Sequence, residues 1–322
     1  MAVRSLGRTL VIANPTAHSG RGAQAAERVR RFFESYDSVT TSYEHRLTTA
    51  PGDGEAMARG AAGYDTVIAL GGDGIIHEVI NGLMQIGSES RPALAIVPMG
   101  SGNDFARTLH ATFNDPEASL REILEGSPRT IELGHVESDA PASAYFMETL
   151  SFGLDAAIAL DTTDRREANT SQEGETLFAT SGVRIMSQVR GEASGFPSRV
   201  TIDDEEPLEL NSIVFAAQNG PTYGGGFSIC PKANPTDGLL DLCFNVRTPN
   251  VAHLLGLLAL ARFGRHAGSS VVRLRTFSSL DVEFTEKEPP CQVDGERMRG
   301  RHYHVSVVPS ALRIIVPPSC TW

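Results

Sequence analysis

The sequence is poor in cysteine, with four in 322 residues, at positions 230, 243, 291 and 320. No two of them form a Cys-x-x-Cys pair, and no dense disulfide or zinc-ligand pattern is present. This scarcity argues against a disulfide-stabilised scaffold or a zinc-binding domain. We therefore expect the chain to work in a reducing environment such as the cytoplasm.

The chain also lacks an excess of positive charge. It has 28 Lys and Arg against 39 Asp and Glu, which gives a formal net charge of -11. Binding to a nucleic-acid backbone requires a basic surface that displaces counterions. The charge balance therefore argues against a nucleic-acid partner, and equally against attraction of the whole molecule to an anionic membrane.

A long apolar segment is missing as well. Apolar residues in the first 13 positions are too interrupted for a secretory signal. The longest apolar run, residues 251–263, would rise roughly 20 Å as a helix, whereas the hydrocarbon core of a bilayer is about 30 Å thick. We expect no segment that spans a membrane.

What the first third of the chain does contain is a pattern repeated three times. Residues 9–13, 66–70 and 93–97 are apolar runs typical of buried strands, and each leads into a polar, glycine-bearing loop and then a helical pattern. Strands that alternate with helices indicate a parallel, doubly wound sheet with its ligand at the carboxyl ends of the strands. All three loops fall at that edge.

The pattern changes after about residue 133. Short segments with a period of two follow one another, at residues 212–217, 239–246, 279–284 and 304–308. They are separated by Gly, Pro and Asp clusters, which is typical of antiparallel strands in a sandwich or barrel. The polar residues 161–175 lack apolar periodicity, and we interpret them as a loop or frayed helix start without a chemical role.

The loop Gly71-Gly72-Asp73-Gly74 lies between a predicted strand and a predicted helix. Its glycines allow backbone amides and the positive end of the helix to face a phosphate, while Asp73 is better suited to orienting the loop, a hydroxyl or a metal-bound water. By itself the motif is equally compatible with a plain tight turn. The second loop, Gly100-Ser101-Gly102-Asn103-Asp104, either joins it around one nucleotide or caps the next helix, or does both.

Several motifs together resemble the bacterial diacylglycerol kinase and sphingosine kinase-like lipid kinases, which share their nucleotide loop with NAD kinases. The matching blocks occur in a compatible order over nearly the whole chain: Asn14-Pro15 through Gly20, Gly71 through Gly82, Pro98 through Arg107, Ser151-Phe152-Gly153, Asp237 through Leu240, and Asp294-Gly295-Glu296.

The resemblance implies an α/β nucleotide-binding domain over residues 1–133, joined by the C-terminal segment 309–322, and an antiparallel β-sandwich lipid-substrate domain over residues 134–308. It also implies ATP as co-substrate together with Mg²⁺. The residues expected to contact ATP are Asn14, Thr16, Ser19, Gly20, Thr48, Gly71, Gly72, Asp73, Gly74, Ile75, His77 and Ser101. Ile75 departs from the family pattern, which has Thr there, and the segment from Asn14 to Gly20 is longer than usual.

The resemblance also assigns roles in the second domain. It favours Glu296 as the acceptor of the substrate's hydroxyl proton, with Asp294 as the rival, although Asp-Gly alone is an ordinary hairpin signal. It places a structural magnesium ion on the Asp237 carboxylate and on main-chain oxygens near Asn234 and Leu239. A plain turn without metal is the alternative for that segment.

The predicted helix at residues 251–263 is followed by basic residues and suits either peripheral membrane contact or a place in the core. The expected acceptor is diacylglycerol or a related lipid alcohol. Two other functions stay open, which are an NAD kinase-like enzyme and a catalytically silent nucleotide- or lipid-binding protein. The family resemblance is compatible with a homodimer, for which the sequence indicates no interface.

Overall fold

A computed structural model of the protein describes residues 5–168, 174–188 and 195–322. The chain divides into two compact units. The first contains the described residues up to Glu132 together with Pro309–Trp322, and the second is Leu133–Val308.

The first unit is built from alternating strands and helices. Its elements in chain order are β1 (Arg8–Ala13), α1 (Arg21–Ser35), β2 (Ser42–Leu47), α2 (Asp53–Arg59), β3 (Thr66–Gly71), α3 (Asp73–Met84), β4 (Ala93–Pro98), α4 (Asp104–Thr108) and α5 (Pro116–Glu125). Strand β5 (Ser127–Ser138) begins in this unit and ends in the second.

Four strands of the first unit form a parallel sheet in the order β2-β1-β3-β4. Every residue of β3 and β4 is buried. Helices α1 and α5 cover one face of the sheet through a core that includes Val29, Phe33 and Leu120. Residues that alternate with that face, such as Leu10 and Val67, are buried as well, so both faces are covered, as is usual for parallel sheets. The predicted doubly wound α/β class is confirmed.

The second unit is richer in strands. Its elements are β6 (Ala142–Phe146), β7 (Thr149–Gly153), α6 (Leu154–Glu167), α7 (Gly174–Gln188), β8 (Phe196–Ile202), β9 (Leu208–Ser212), β10 (Val214–Gln218), β11 (Leu240–Asn245), α8 (Val251–Ala261), β12 (Val272–Phe277), β13 (Ser279–Phe284), β14 (Cys291–Val293), β15 (Glu296–Met298) and β16 (His302–Val316). The end of β16 returns to the first unit, where Ile314 lies opposite Leu94 of β4 in parallel register.

Two antiparallel sheets of the second unit share one core. One has the strand order β12-β11-β10-β7-β14-β15, and the other contains β16-β13-β8-β9. The ring of Phe152 on β7 lies 5.2 Å from that of Phe284 on β13 and 4.7 Å from that of Tyr303 on β16. Side chains from the inner faces of both sheets meet in this way in a β-sandwich, so the predicted sandwich is confirmed.

The structure corrects two predictions about elements. Residues 161–167, predicted as a loop or frayed helix start, form the end of α6, because the buried apolar residues that hold this helix, including Ala156 and Leu160, precede the polar stretch. Residues 169–173 of that prediction lie outside the described residues. The predicted strand 212–217 is two strands broken at Ile213, whose N–H, like that of Val214, donates to the Asn245 side chain at 2.8 and 2.9 Å.

Helices α6, α7 and α8 cover the outer face of the β10, β11 and β12 strands, where they enclose a second apolar core that contains Phe178, Ala216 and Leu257. The predicted helix at residues 251–263 is α8, which ends at Ala261. No helix within the described parts of the chain combines the length and the apolar character that crossing a bilayer requires.

Candidate active site

The two glycine-bearing loops of the first unit touch each other. β3 ends at Gly71 and α3 begins at Asp73, and the Asp73 carboxylate accepts the backbone N–H of Asn103 at 2.8 Å. A Cβ atom on Gly100 would lie 2.7 Å from the Cα of Gly72, so no larger residue fits there without a shift. Asp73 therefore holds the loops after β3 and β4 together, and Gly74 is exposed beside them.

Ile75 points into the protein. Its side chain is 5% exposed, and a Cβ on Gly54 of α2 would lie 2.4 Å from its Cδ1. A Cβ on Gly71, whose φ is +148°, would lie 2.5 Å from its Cγ2. Ile75 thus fills the space left by two glycines, so an apolar side chain at this position contributes packing between α2 and the end of β3.

The loop after β1 reaches the same edge of the sheet. The Asn14 side chain accepts the N–H of Thr16 at 2.9 Å and its hydroxyl at 2.8 Å, and the Asn14 N–H donates to the Leu70 carbonyl at 2.9 Å. Ser19 and Gly20 both have positive φ, 55° and 88°, and α1 begins at the next residue. The loop is therefore tied to the end of β3 and leads into a helix N-terminus.

The loop between β2 and α2 is braced by Glu78, an acidic residue of α3. The Glu78 carboxylate accepts the N–H groups of Gly52 at 2.8 Å and Gly54 at 2.9 Å. Thr48, which begins this loop, is buried and donates its N–H to Ala13 at 2.9 Å. The bracing role depends on tertiary contact, and no local signal in the sequence indicates it.

The structure thus brings the predicted nucleotide residues of four loops to one edge of the parallel sheet. His77 is the exception, since it lies within α3 and is nearly buried, with Asn81 Nδ2 at 3.3 Å from its ring. Because the strands are parallel, their carboxyl ends meet at this edge, where ligands of such folds bind. The arrangement suits a phosphate-bearing molecule held by backbone amides and helix N-termini.

In the second unit, Asp294 and Gly295 form a two-residue hairpin between β14 and β15, with φ of 49° and 94°. The Asp294 carboxylate accepts three backbone N–H groups, from Met147 at 2.9 Å, Glu148 at 3.1 Å and Thr149 at 2.9 Å. These bonds commit Asp294 to anchoring the chain ahead of β7. Glu296, at the start of β15, is exposed.

A buried glutamine supports this hairpin. Gln292 is fully buried, its Oε1 accepts the Gly295 N–H at 2.7 Å, and its Nε2 donates to the Ser151 hydroxyl at 2.7 Å. From the other side, the Thr163 hydroxyl of α6 donates to the Gly295 carbonyl at 3.3 Å. The hairpin that carries Glu296 is therefore fixed on both sides, by residues that the sequence did not single out.

The turn with Asn234, Asp237 and Leu239 offers a carboxylate and main-chain oxygens, which are ligands that suit Mg²⁺. Among the described residues, no group of three or more His, Cys, Asp or Glu side chains could hold a metal ion. The Leu239 N–H donates to Asp237 at 3.1 Å. Burial and the charge of Asp237 raise the pKa of the nearby Asp241 to about 6. A divalent ion bound by Asp237 and the main-chain oxygens of Asn234 and Leu239 therefore stays a prediction.

An apolar cavity of about 60 Å³ lies beneath helix α8, and Asp155 is its acidic wall residue. The Tyr223 hydroxyl donates to the Asp155 carboxyl. Burial raises the pKa of Asp155 to about 7. Its other lining residues are mostly apolar and include Ile158, Leu254 and Leu257. No local signal in the sequence indicates this cavity, because its walls come from three helices, three strands and the segments around Ile229 and His266.

Residues 8–136 match the family model of the diacylglycerol kinase catalytic domain, and residues 148–316 match that of the YegS C-terminal NAD kinase beta sandwich-like domain. These two models define the class as a kinase that transfers phosphate to an alcohol. The chain belongs to the family of YegS-like lipid kinases.

Individual relatives agree with this assignment. A protein named "Probable lipid kinase YegS-like" from Chromohalobacter salexigens is 31% identical over 306 residues, which cover 93% of this chain and 91% of the relative. A protein of the same name from Serratia proteamaculans is 28% identical, with coverage of 94% and 93%. The crystal structure of a diacylglycerol kinase from Bacillus anthracis superposes with a TM-score of 0.73 at 19% identity, covering 99% of this chain and all of that one, which supports the fold.

Proposed function

We propose that the protein transfers the γ-phosphate of Mg-ATP to the hydroxyl of a lipid alcohol, with diacylglycerol or a related lipid as acceptor. The observation that carries the nucleotide part is the Asp73–Asn103 hydrogen bond of 2.8 Å. It joins two glycine-bearing loops at the edge of a parallel sheet, where backbone amides can receive phosphate oxygens. Family membership supplies the kinase and lipid parts of the proposal.

In this proposal the first unit holds ATP. The loops after β1 and β2 contact ATP through Asn14, Thr16, Ser19, Gly20 and Thr48. The loops after β3 and β4 contact it through the backbone of Gly71, Gly72, Asp73, Gly74, Ile75 and Ser101. Because Ile75 points inward, its contribution is its backbone N–H. His77 stays a prediction.

Glu296 is the proposed acceptor of the substrate's hydroxyl proton, because its carboxylate is exposed on a hairpin that other residues hold in place. Asp294 is better suited to positioning, since its carboxylate already accepts three backbone N–H groups. Phosphoryl transfer depends mainly on positioning and charge stabilisation. A magnesium ion on Asp237, Asn234 and Leu239 would supply structural order to the turn before β11.

The cavity beneath α8 is proposed to receive part of the lipid's apolar chain. Its volume of about 60 Å³ exceeds the ~10–15 Å³ that a single water needs, and most of its lining residues are apolar. Such pockets carry no sequence motif, since generic apolar residues form them. The identity of the lipid is therefore a question for experiment, and a homodimer stays a prediction.

The test is transfer of radiolabelled phosphate from ATP to a panel that contains diacylglycerol, phosphatidylglycerol, sphingoid bases, ceramide, undecaprenol and NAD. Label on a lipid supports the proposal, and label on NAD alone overturns it. Transfer to nothing while ATP still binds would favour a silent nucleotide-binding protein. Glu296→Gln should remove turnover while sparing ATP affinity, and Asp294→Asn should chiefly lower stability. Persistent activity in Glu296→Gln would place the base elsewhere.

A further inference from the structure

Helix α8 is apolar on both of its faces. Its inner face, with Leu254, Leu257 and Ala261, is buried. On the outer side, Leu255 is 41% exposed, Leu260 is 42% exposed, and Phe263, two residues beyond the helix end, is 72% exposed. The helix contains no Asp, Glu, Lys or Arg, and its one polar side chain is the exposed His253. A helix that is apolar all round is normally covered on every side, so the outer face of α8 requires a partner.

The segment around this face is basic within an acidic protein. Between Asp241 and Asp281 the chain has no Asp or Glu and has five arginines, whereas the whole chain carries a net charge of -11. Arg275 donates to the Glu205 carboxylate and Arg262 to the Gly226 carbonyl. The other three, Arg247, Arg265 and Arg273, are exposed. The partner of this surface should therefore be apolar and negatively charged.

We propose that the outer face of α8, defined by Leu255, Leu260 and Phe263, docks on an anionic lipid bilayer, with the exposed arginines on the headgroup phosphates. The proposal rests on the lipid-kinase function proposed above and adds the surface and its partner. Apolar side chains that enter the acyl boundary beside basic residues are typical of interfacial helices, and each basic residue near an anionic surface adds attraction.

A second copy of the chain fits this surface less well. Homodimers mostly have twofold symmetry, so each patch meets its own copy. The arginines of the two copies would then face and repel each other, because the segment between Asp241 and Asp281 has no Asp or Glu to pair with them. A bilayer supplies the missing negative charge. It also places the lipid next to the cavity, because the inner residues of the same helix line it.

The experiment is co-sedimentation of the full chain with vesicles of phosphatidylcholine alone and of phosphatidylcholine with phosphatidylglycerol. We expect binding to the anionic vesicles that falls with added salt. Phe263→Ser should weaken it at least about tenfold, because an exposed aromatic ring no longer leaves water. Arg265→Gln should weaken it about fivefold. Leu208→Ser, at a residue 37% exposed on β9, is the matched control and should bind like the unaltered protein.

Sedimentation requires no turnover, so its outcome is independent of the proposed activity. Activity adds a second reading: Phe263→Ser should lose phosphorylation of vesicle-borne diacylglycerol but retain that of a dispersed short-chain diacylglycerol. Equal binding by Phe263→Ser and Leu208→Ser, or binding that ignores vesicle charge, would overturn the proposal. A second result would also overturn it. In that result the unaltered protein does not bind vesicles and is a dimer by sedimentation equilibrium, and Phe263→Ser converts this dimer to monomers.

Discussion

The buried acid Asp155 should make the protein less stable as the pH rises. Burial raises its pKa from an ordinary value of 3.8 to about 7, while a hydrogen bond from Ser151 opposes the shift. The difference is about 3 pKa units, and one unit corresponds to about 1.36 kcal/mol. Ionisation of Asp155 in the folded protein should thus cost up to about 4 kcal/mol of stability.

The sign follows from proton binding. Below about pH 4 the carboxyl is protonated in both the folded and the unfolded chain and contributes no pH dependence. Between about pH 4 and 7 the folded chain holds the proton that the unfolded chain has lost, so the free energy of unfolding falls as pH rises. Above about pH 7 both forms are ionised and the whole penalty is present.

Asp155→Asn removes the charge and keeps an oxygen that can accept from Tyr223. The free energy of unfolding of this variant minus that of the unaltered protein should rise from near zero at pH 4 to about 4 kcal/mol at pH 8, measured by urea denaturation. Taking the difference cancels groups common to both proteins, such as His266. Asp164→Asn, at a carboxylate 65% exposed on the same helix, controls for loss of a charge from α6. A difference for Asp155→Asn that does not change with pH would refute the reasoning.

Two further predictions concern the second unit. Gln292→Ala removes the support of the hairpin before Glu296. We expect the free energy of unfolding to fall by about 1–3 kcal/mol, and kcat to fall with an unchanged KM for ATP. Gln292→Glu keeps an acceptor for the Gly295 N–H and should partly restore kcat. An unaltered kcat would show that Gln292 does not position the hairpin. For the turn with Asp237, Mg²⁺ without ATP should raise Tm in a thermal-shift assay, and Asp237→Asn should abolish that rise. Equal rises in both proteins would place the ion elsewhere.

The sequence by itself determined the architecture of both units, because hydrophobic period and turn residues are local signals. Apolar runs that lead into glycine-bearing loops predicted β1, β3 and β4, which are confirmed. Predictions from the sequence were wrong where local signals mislead. The polar pattern of residues 161–167 predicts a loop or a frayed helix start, whereas these residues end α6, because the buried residues of this helix lie earlier. A continuous period of two conceals the break at Ile213.

The tertiary structure decided how the candidate site is held together. Asp73 and Asn103 are 30 residues apart, and the carboxylate of Asp294 reaches the N–H groups of residues about 146 positions earlier. Such contacts depend on how strands order within a sheet, which no window of sequence encodes. The same reason explains the cavity at Asp155 and the two faces of α8, because burial of one side and exposure of the other arise from packing.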